Sequence, residues 1–315
     1  MMNGTRTLLC ALGTYGLFSV VAGIGLAELS LRLPKRSPGD GAVYRRRVRR
    51  QFDAQVQNVS IRGADGALLN AWFVQPLHPG GEAVILLHGI TDNRIGVSGF
   101  GDIFLSHGYS ILLPDSREHG DSGGRLATYG ILERQDVNRW VGWLRQHDSG
   151  CTYLFGESMG AAIGLQAAAV TPQLCAVAVE SPFSNFREIA FERLGRETHL
   201  GPFFWRTAGR PLIEVAILYT RLRYGIRLTD ASPRSAVEEA KTPMLLIAGT
   251  ADHNIPMHHA QELYRDCTSH CELWIVKGAG HGGASTVAPV EFRTRILGWF
   301  QLHDAKPAAM QTKAN

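Results

Sequence analysis

The stretch that decides the fold is Thr152–Tyr153–Leu154–Phe155–Gly156–Glu157–Ser158–Met159–Gly160–Ala161, with an apolar helical run continuing to Ala169. Thr152–Phe155 reads as a short strand, and Gly156–Glu157–Ser158–Met159–Gly160 fits G-x-S-x-G. As a bare pattern this is weak, because the chain holds 35 glycines in 315 residues. Its setting makes it specific. A strand runs straight into a helix, and the serine at the junction sits on a strained elbow with its hydroxyl exposed. Gly156 and Gly160 leave room in so tight a turn. The helix N-terminus adds unpaired N–H groups and a positive dipole beside the hydroxyl. The competing reading, a chance turn serine, does not explain that context.

Working outward, short apolar runs alternate with helical patterns. The runs are Ala83–Leu87, Ser110–Leu113, Thr152–Phe155, Ala176–Val179, Met244–Ala248 and Leu273–Val276, with helical stretches such as Ile131–Gln146, Met159–Val170 and Met257–Arg265 between them. Apolar strands alternating with helices predict an α/β fold with a parallel sheet buried on both faces. Before them, Val56–Arg62 and Leu68–Val74 flank Ala64–Asp65–Gly66 and predict a hairpin.

A serine hydroxyl needs a base. After the last strand comes Gly278–Ala279–Gly280–His281–Gly282–Gly283, whose glycines let His281 reach the sheet edge. An acid should follow the preceding strand, and there Gly249–Thr250–Ala251–Asp252 supplies Asp252. An acid at that place fixes the imidazole tautomer and stabilises the imidazolium. Asp252 could instead be a turn-capping residue, and Glu180, ending an earlier strand, is the second candidate acid. The catalytic expectation is Ser158, His281 and Asp252. An oxyanion hole needs two donors. The Met159 amide and the Ile90 amide, in the loop His88–Gly89–Ile90–Thr91–Asp92, are nominated. His88 reads as a structural hydrogen-bonder.

Together, Leu86–Leu87–His88–Gly89, Asp115–Ser116–Arg117–Glu118–His119–Gly120–Asp121–Ser122–Gly123, the serine elbow, Gly249 to Asp252 and Gly280–His281 resemble the α/β-hydrolase superfamily. The resemblance covers roughly residues 55–303. The chain looks like the branch that includes the membrane-anchored α/β-hydrolase-domain lipases and thioesterases and the related bacterial serine hydrolases. The resemblance implies an α/β-hydrolase fold, a mostly parallel eight-stranded sheet with helices on both faces, the triad at the C-terminal edge of the strands, and no metal or organic cofactor. Glu118 departs from the pattern, which commonly has a small residue there, usually Gly. Gly120–Asp121–Ser122–Gly123–Gly124 also spells the active-serine segment of chymotrypsin-like proteases, but that family needs two all-β barrels, and the strand–helix alternation excludes them.

Between Phe183 and Lys241 the alternation breaks. A small helical cap over the serine is expected at about 183–241, with Phe183, Phe203, Phe204 and Trp205 as pocket residues and Leu212–Tyr219 as a further apolar stretch. The aromatics could equally pack the cap onto the core.

Leu8–Ala27 is almost uninterruptedly apolar, between Arg6 and Glu28. A run of about 20 such residues spans a bilayer. Residues 1–30 are read as a membrane anchor, or else a secretory signal with small residues at Gly25 and Ala27. As a mere anchor, residues 1–30 should be removable from a soluble, active domain. Residues 31–53 read as a basic linker, 54–305 as the hydrolase domain and 306–315 as a tail. The net charge of +4 hides +7 over residues 1–50 and −3 over the rest. That split gives the folded domain no nucleic-acid face and suits anionic lipid next to the helix. Counting basic residues near the helix ends puts the C-terminal side in the cytoplasm, with a translocated domain as the alternative. Five cysteines form no zinc pattern, and separate free thiols are expected, with a Cys267–Cys271 pair as the alternative.

The expected function is hydrolysis of a carboxylic ester or thioester, in an acyl or lipid-like substrate, through an acyl-enzyme on Ser158. The alternatives are a peptidase of the same fold and a membrane-tethered, non-catalytic binding protein. The oligomeric state is not legible.

Overall fold

A computed structural model describes residues 2–147, 150–267 and 269–304. The strands are β1 (Ala54–Arg62), β2 (Leu68–Pro76), β3 (Ala83–Leu87), β4 (Ser110–Pro114), β5 (Thr152–Glu157), β6 (Leu174–Glu180), β7 (Met244–Gly249) and β8 (Cys271–Val276). They form one sheet in the order β1-β2-β4-β3-β5-β6-β7-β8. β2 is antiparallel to β1 and β4, while β4, β3, β5, β6, β7 and β8 run parallel. The hairpin turn closes where predicted, with Gly66 at φ 81°.

The helices are α1 (Met2–Leu31), α2 (Ala42–Phe52), α3 (Gly101–Leu105), α4 (Glu133–Arg145), α5 (Met159–Ala168), α6 (Phe186–Glu197), α7 (Gly201–Arg206), α8 (Arg210–Tyr224), α9 (Pro233–Glu239), α10 (His258–Asp266), α11 (Ala284–Val287) and α12 (Pro289–Leu302). Every residue of β3, β4 and β7 is buried, as a sheet covered on both faces requires. Alternate residues of one strand serve opposite cores. Tyr153 and Phe155 of β5 pack with Phe104, Phe292 and Phe300, whereas Leu154 packs with Trp140, Ile163 and Val179.

Several expectations need correction. The stretch expected to be a linker carries a helix, α2, whose Tyr44 and Val48 are buried in the core. The inserted cap is α6–α8; Val237 of α9 and the adjacent Ala240 already belong to the main core, so α9 closes the sheet domain. Cys151–Cys175 and Cys267–Cys271 are disulfides, and only Cys10 is a free thiol among the described residues. The tail expected at 306–315 lies outside the described residues. Thr5–Leu31 is long and apolar enough to cross a bilayer.

The segment after β4 is structural. Ser122, the serine of the protease-like motif, is buried, donating to the Asp115 carbonyl at 2.7 Å and accepting from Asn70 N–H at 2.9 Å. Arg94 pairs with Asp115, and Arg117 with Asp136, all four buried. Glu118 sits at φ 60°, a backbone conformation that favours glycine, which accounts for the residue usual there. Its carboxylate meets Lys35 Nζ at 3.4 Å.

Candidate active site

Ser158 has φ 58° and ψ −115°, the strained elbow expected between β5 and α5. The two glycines are sterically required. A Cβ on Gly156 would lie 2.4 Å from the Gly160 carbonyl oxygen, and one on Gly160 2.3 Å from that of Leu87. The elbow thus lets α5 press against β3 and holds Ser158 at the C-terminal rim of the sheet.

Three side chains from separate loops meet there. His281 Nε2 lies 2.9 Å from Ser158 Oγ, and His281 Nδ1 lies 2.9 Å from Asp252 Oδ2. The other oxygen, Asp252 Oδ1, accepts the N–H groups of Asn254 at 2.8 Å and Ile255 at 2.9 Å. Burial opposes the Asp252 charge, but hydrogen bonds from His281 and Ile255 outweigh it, and the carboxyl lies below its ordinary range. Asp252 can therefore stay ionised and fix Nδ1 as the protonated nitrogen, leaving Nε2 to accept the serine proton.

Glu180, the second candidate acid, makes no hydrogen bond to His281, which bonds Asp252 instead. Its Oε1 accepts the Ala284 N–H at 2.7 Å, which steadies the loop after the histidine. Burial pushes its carboxyl up to about 7, although the Ala284 bond opposes that. Glu157 is raised by burial too. Gly282, at φ 63°, passes so close that a Cβ would lie 2.4 Å from Glu157 Oε1.

The loop after β3 faces the serine from the other side. A Cβ on Gly89 would stand 3.5 Å from Ser158 Cβ. His88 is fully buried. Its Nδ1 donates to the Gly89 carbonyl at 2.7 Å and its Nε2 accepts the Ser116 N–H at 3.0 Å, the structural role expected of it. Burial pushes its imidazole down to about 4, which suits that neutral pattern. His119 Nε2 accepts the Thr91 N–H at 3.2 Å, and Asp92 N–H bonds Gly89 O. The Ile90 N–H has no partner among the described residues. Met159 opens α5, so its N–H is one of the helix's uncommitted donors. Ile90, Met159 and Ser158 line the same cavity.

That cavity encloses about 510 Å³, within the range of small-molecule sites. Of the four aromatics expected to line it, only Phe183 does so. Trp205 is buried inside the cap with Phe191 and Leu212, its Nε1–H donating to Thr198 Oγ1 at 2.9 Å, and Phe203 is 77% exposed on α7. Phe204 likewise sits on α7 outside the cavity, edge-on to Trp205. The apolar stretch Leu212–Tyr219 contributes Ile213, Ala216 and Ile217 instead, because every third or fourth residue of α8 faces inward. Sequence reasoning missed the other wall. Leu26, Ala27, Leu29 and Ser30 of α1, and Leu33 beyond it, also line the cavity. Glu28, a lone acid closing the apolar run, was the available signal.

Among the described residues two clusters could present metal-ligating atoms, and neither includes Ser158, His281 or Asp252. In Cys267–His270–Cys271 both sulfurs are tied in a disulfide. In Glu192–His258–His259 the atoms satisfy one another and Arg206, and His259 Nδ1 bonds Ser184 Oγ.

A model of the alpha/beta hydrolase family matches residues 84–295. YqkD of Bacillus subtilis (strain 168) is 27% identical over 292 residues, which is 89% of this chain and 92% of that protein. A thermostable monoacylglycerol lipase of Bacillus sp. (strain H-257) is 24% identical over 206 residues, 60% of this chain and 78% of the lipase. The solved esterase Pf2001 of Pyrococcus furiosus superposes with a TM-score of 0.69 at 22% identity, over 88% of this chain and 99% of the esterase.

Proposed function

This chain belongs to the alpha/beta hydrolase family, and on that premise we propose that it is a serine hydrolase cleaving a carboxylic ester or thioester in an acyl, lipid-like substrate. The observation that carries the reading is the continuous hydrogen-bonded line from Ser158 Oγ through His281 to Asp252.

In the proposed reaction His281 Nε2 takes the Ser158 proton as Oγ attacks the carbonyl carbon. The oxyanion that forms accepts from the Ile90 and Met159 N–H groups. When the tetrahedral species collapses, the carbonyl–leaving-group bond breaks and the imidazolium gives its proton to the departing oxygen or sulfur. A water then attacks the acyl-enzyme, losing its proton to His281, and the acid leaves as Ser158 regains its hydrogen. The apolar lining of the cavity and the lipase among the relatives favour an acyl chain as the bound group.

The two disulfides support placing the domain in an oxidising compartment, across the membrane from the cytoplasm. They weigh against the side that the basic-residue count suggests. The experiment is fluorophosphonate labelling of the full chain in detergent, followed by nitrophenyl-ester and acyl-thioester hydrolysis. The wild type should label and turn over, and Ser158→Ala should do neither. Ester hydrolysis retained by Ser158→Ala would refute the assignment.

A further inference from the structure

The apolar N-terminal helix does two different jobs along its length. Leu8, Leu9, Leu12, Leu17, Phe18 and Val21 are exposed, as residues of a bilayer span would be. From Ala22 onward α1 is built into the protein. Its Gly23 lies against α8 so tightly that a Cβ would stand 2.6 Å from the Leu212 carbonyl oxygen. Ala22 and Leu26 pack on the cap cluster of Phe191, Ile213 and Ile217. Leu31 is completely buried with Leu126, Ile226 and Leu228.

Polar groups lock the same end. An acid at the end of a membrane helix is costly without partners. Glu28 accepts from the hydroxyls of Tyr219 and Tyr224 and pairs with Arg32 at 3.0 Å. Tyr129 OH donates to the Ser30 carbonyl at 2.7 Å, and Ala127 N–H donates to that of Leu31 at 2.8 Å. One face of this docked end, Leu26, Leu29 and Ser30 at i, i+3 and i+4, lines the cavity that also holds Ser158 and His281. Leu29 is 74% exposed, so this wall reaches from the cavity to the outside surface. The rest of the helix also touches the cap, through Tyr15 OH on the Ala208 carbonyl beside α7.

We propose that the last turns of α1 and Leu33 form the acyl-chain wall of the substrate site, and that the substrate is a membrane-resident long-chain acyl lipid whose chain slides along α1 from the bilayer to Ser158. This rests on the hydrolase reading above. A chain drawn from the leaflet stays against apolar side chains, and its carbonyl stops at the serine. A short, soluble ester needs none of this wall, so Leu26 and Leu33 set chain-length preference without touching the reacting atoms.

The test uses the full-length chain reconstituted in phosphatidylcholine vesicles. Leu26→Trp and Leu33→Trp fill the wall at two separate places, and Leu12→Trp alters only the exposed span. Each is assayed with a long-chain palmitoyl ester carried in the vesicles and with a soluble butyryl ester, beside fluorophosphonate labelling. The wall variants should lower the palmitoyl-to-butyryl ratio of kcat/KM by about tenfold or more, the scale of hydrophobic-pocket discrimination, while Leu12→Trp leaves it within about twofold. Leu33 follows the helix end, so Leu33→Trp keeps the test decisive should Leu26→Trp fail to fold. Wall variants that label normally and keep the wild-type ratio would overturn the proposal. Wild-type chain that does not label at all would overturn the hydrolase reading itself, a different and separately visible failure.

Discussion

Gly160 and Leu87 are in such close apposition that one methyl group between them would sit 2.3 Å from a carbonyl oxygen. The atom in the way is backbone, fixed in the middle of the sheet, so it cannot swing aside. Gly160→Ala should therefore push α5 away from β3 and carry Ser158 off line. Overpacking of this kind costs about 1–3 kcal/mol or more. A lower Tm together with loss of fluorophosphonate labelling is expected. A variant with wild-type Tm and labelling would show that the elbow tolerates the shift.

Asp252→Asn should be severe and Glu180→Gln mild, because only Asp252 bonds His281. An asparagine there favours the wrong tautomer, and a loss of about 10⁴ in kcat is expected. Comparing kcat for the two variants on one nitrophenyl ester checks this. A larger loss in Glu180→Gln would mean that the loop held by Ala284 matters more than the acid. Since the folded Asp252 carboxyl lies below its ordinary value, the stability it contributes is present at neutral pH. It is lost only on acidification below the ordinary aspartate value of 3.8.

Glu180 has the opposite sign. Its folded value is about 7 against an ordinary 4.5, so between those values the folded chain holds a proton that the unfolded chain has released. Stability contributed by this residue therefore falls as pH rises from 4.5 to 7 and is flat above. Glu180→Gln has no such titration and should gain on the wild type across that window, by roughly 3 kcal/mol at most from 1.36 per pH unit. Urea denaturation at several pH values measures it. A stability difference independent of pH would contradict the assigned shift.

Iodoacetamide without reductant should modify Cys10 alone, read by mass spectrometry of the denatured chain. Reduction should expose Cys151, Cys175, Cys267 and Cys271 and lower the Tm. Losing a bridge whose ends are 24 positions apart in the sequence costs about 2–4 kcal/mol. Four freely alkylated thiols in chain isolated from membranes would place the domain in a reducing compartment.

The sheet and the meeting of Ser158, His281 and Asp252 were legible because both write themselves locally. Each parallel strand is a short apolar run, and Ser158, Asp252 and His281 each lie in the loop that follows one of those runs. Of the two cysteine pairs, Cys267–Cys271 was only the alternative reading and Cys151–Cys175 was not legible. Cys151 and Cys175 are 24 residues apart, and only the pairing of β5 with β6 brings them together. The cap aromatics misled because Phe203–Phe204–Trp205 looks like a pocket when read as composition. On a helix of six residues, one of them turns inward to the cap core and another stays in the open. The basic stretch hid α2, since its arginines surround only two buried side chains, Tyr44 and Val48. Nor was the docking of residues 22–31 on the cap and the domain legible, because the apolar run reads the same whether it packs on protein or on lipid. Deleting residues 1–30 would strip Leu26 from the cap cluster and Glu28 from its two tyrosines.

A helix that ends inside the domain it anchors is a bracket, not a leash. With Glu28, Ser30 and Leu31 fastened to the body, a bilayer span in the first part of α1, as proposed, would hold the mouth of the cavity at one height and one tilt over the membrane surface. For the membrane-resident substrate proposed above, encounter would then be a search in two dimensions, governed by how many acyl chains lie in the surrounding leaflet and how closely they are packed, rather than by what is dissolved in the water above it.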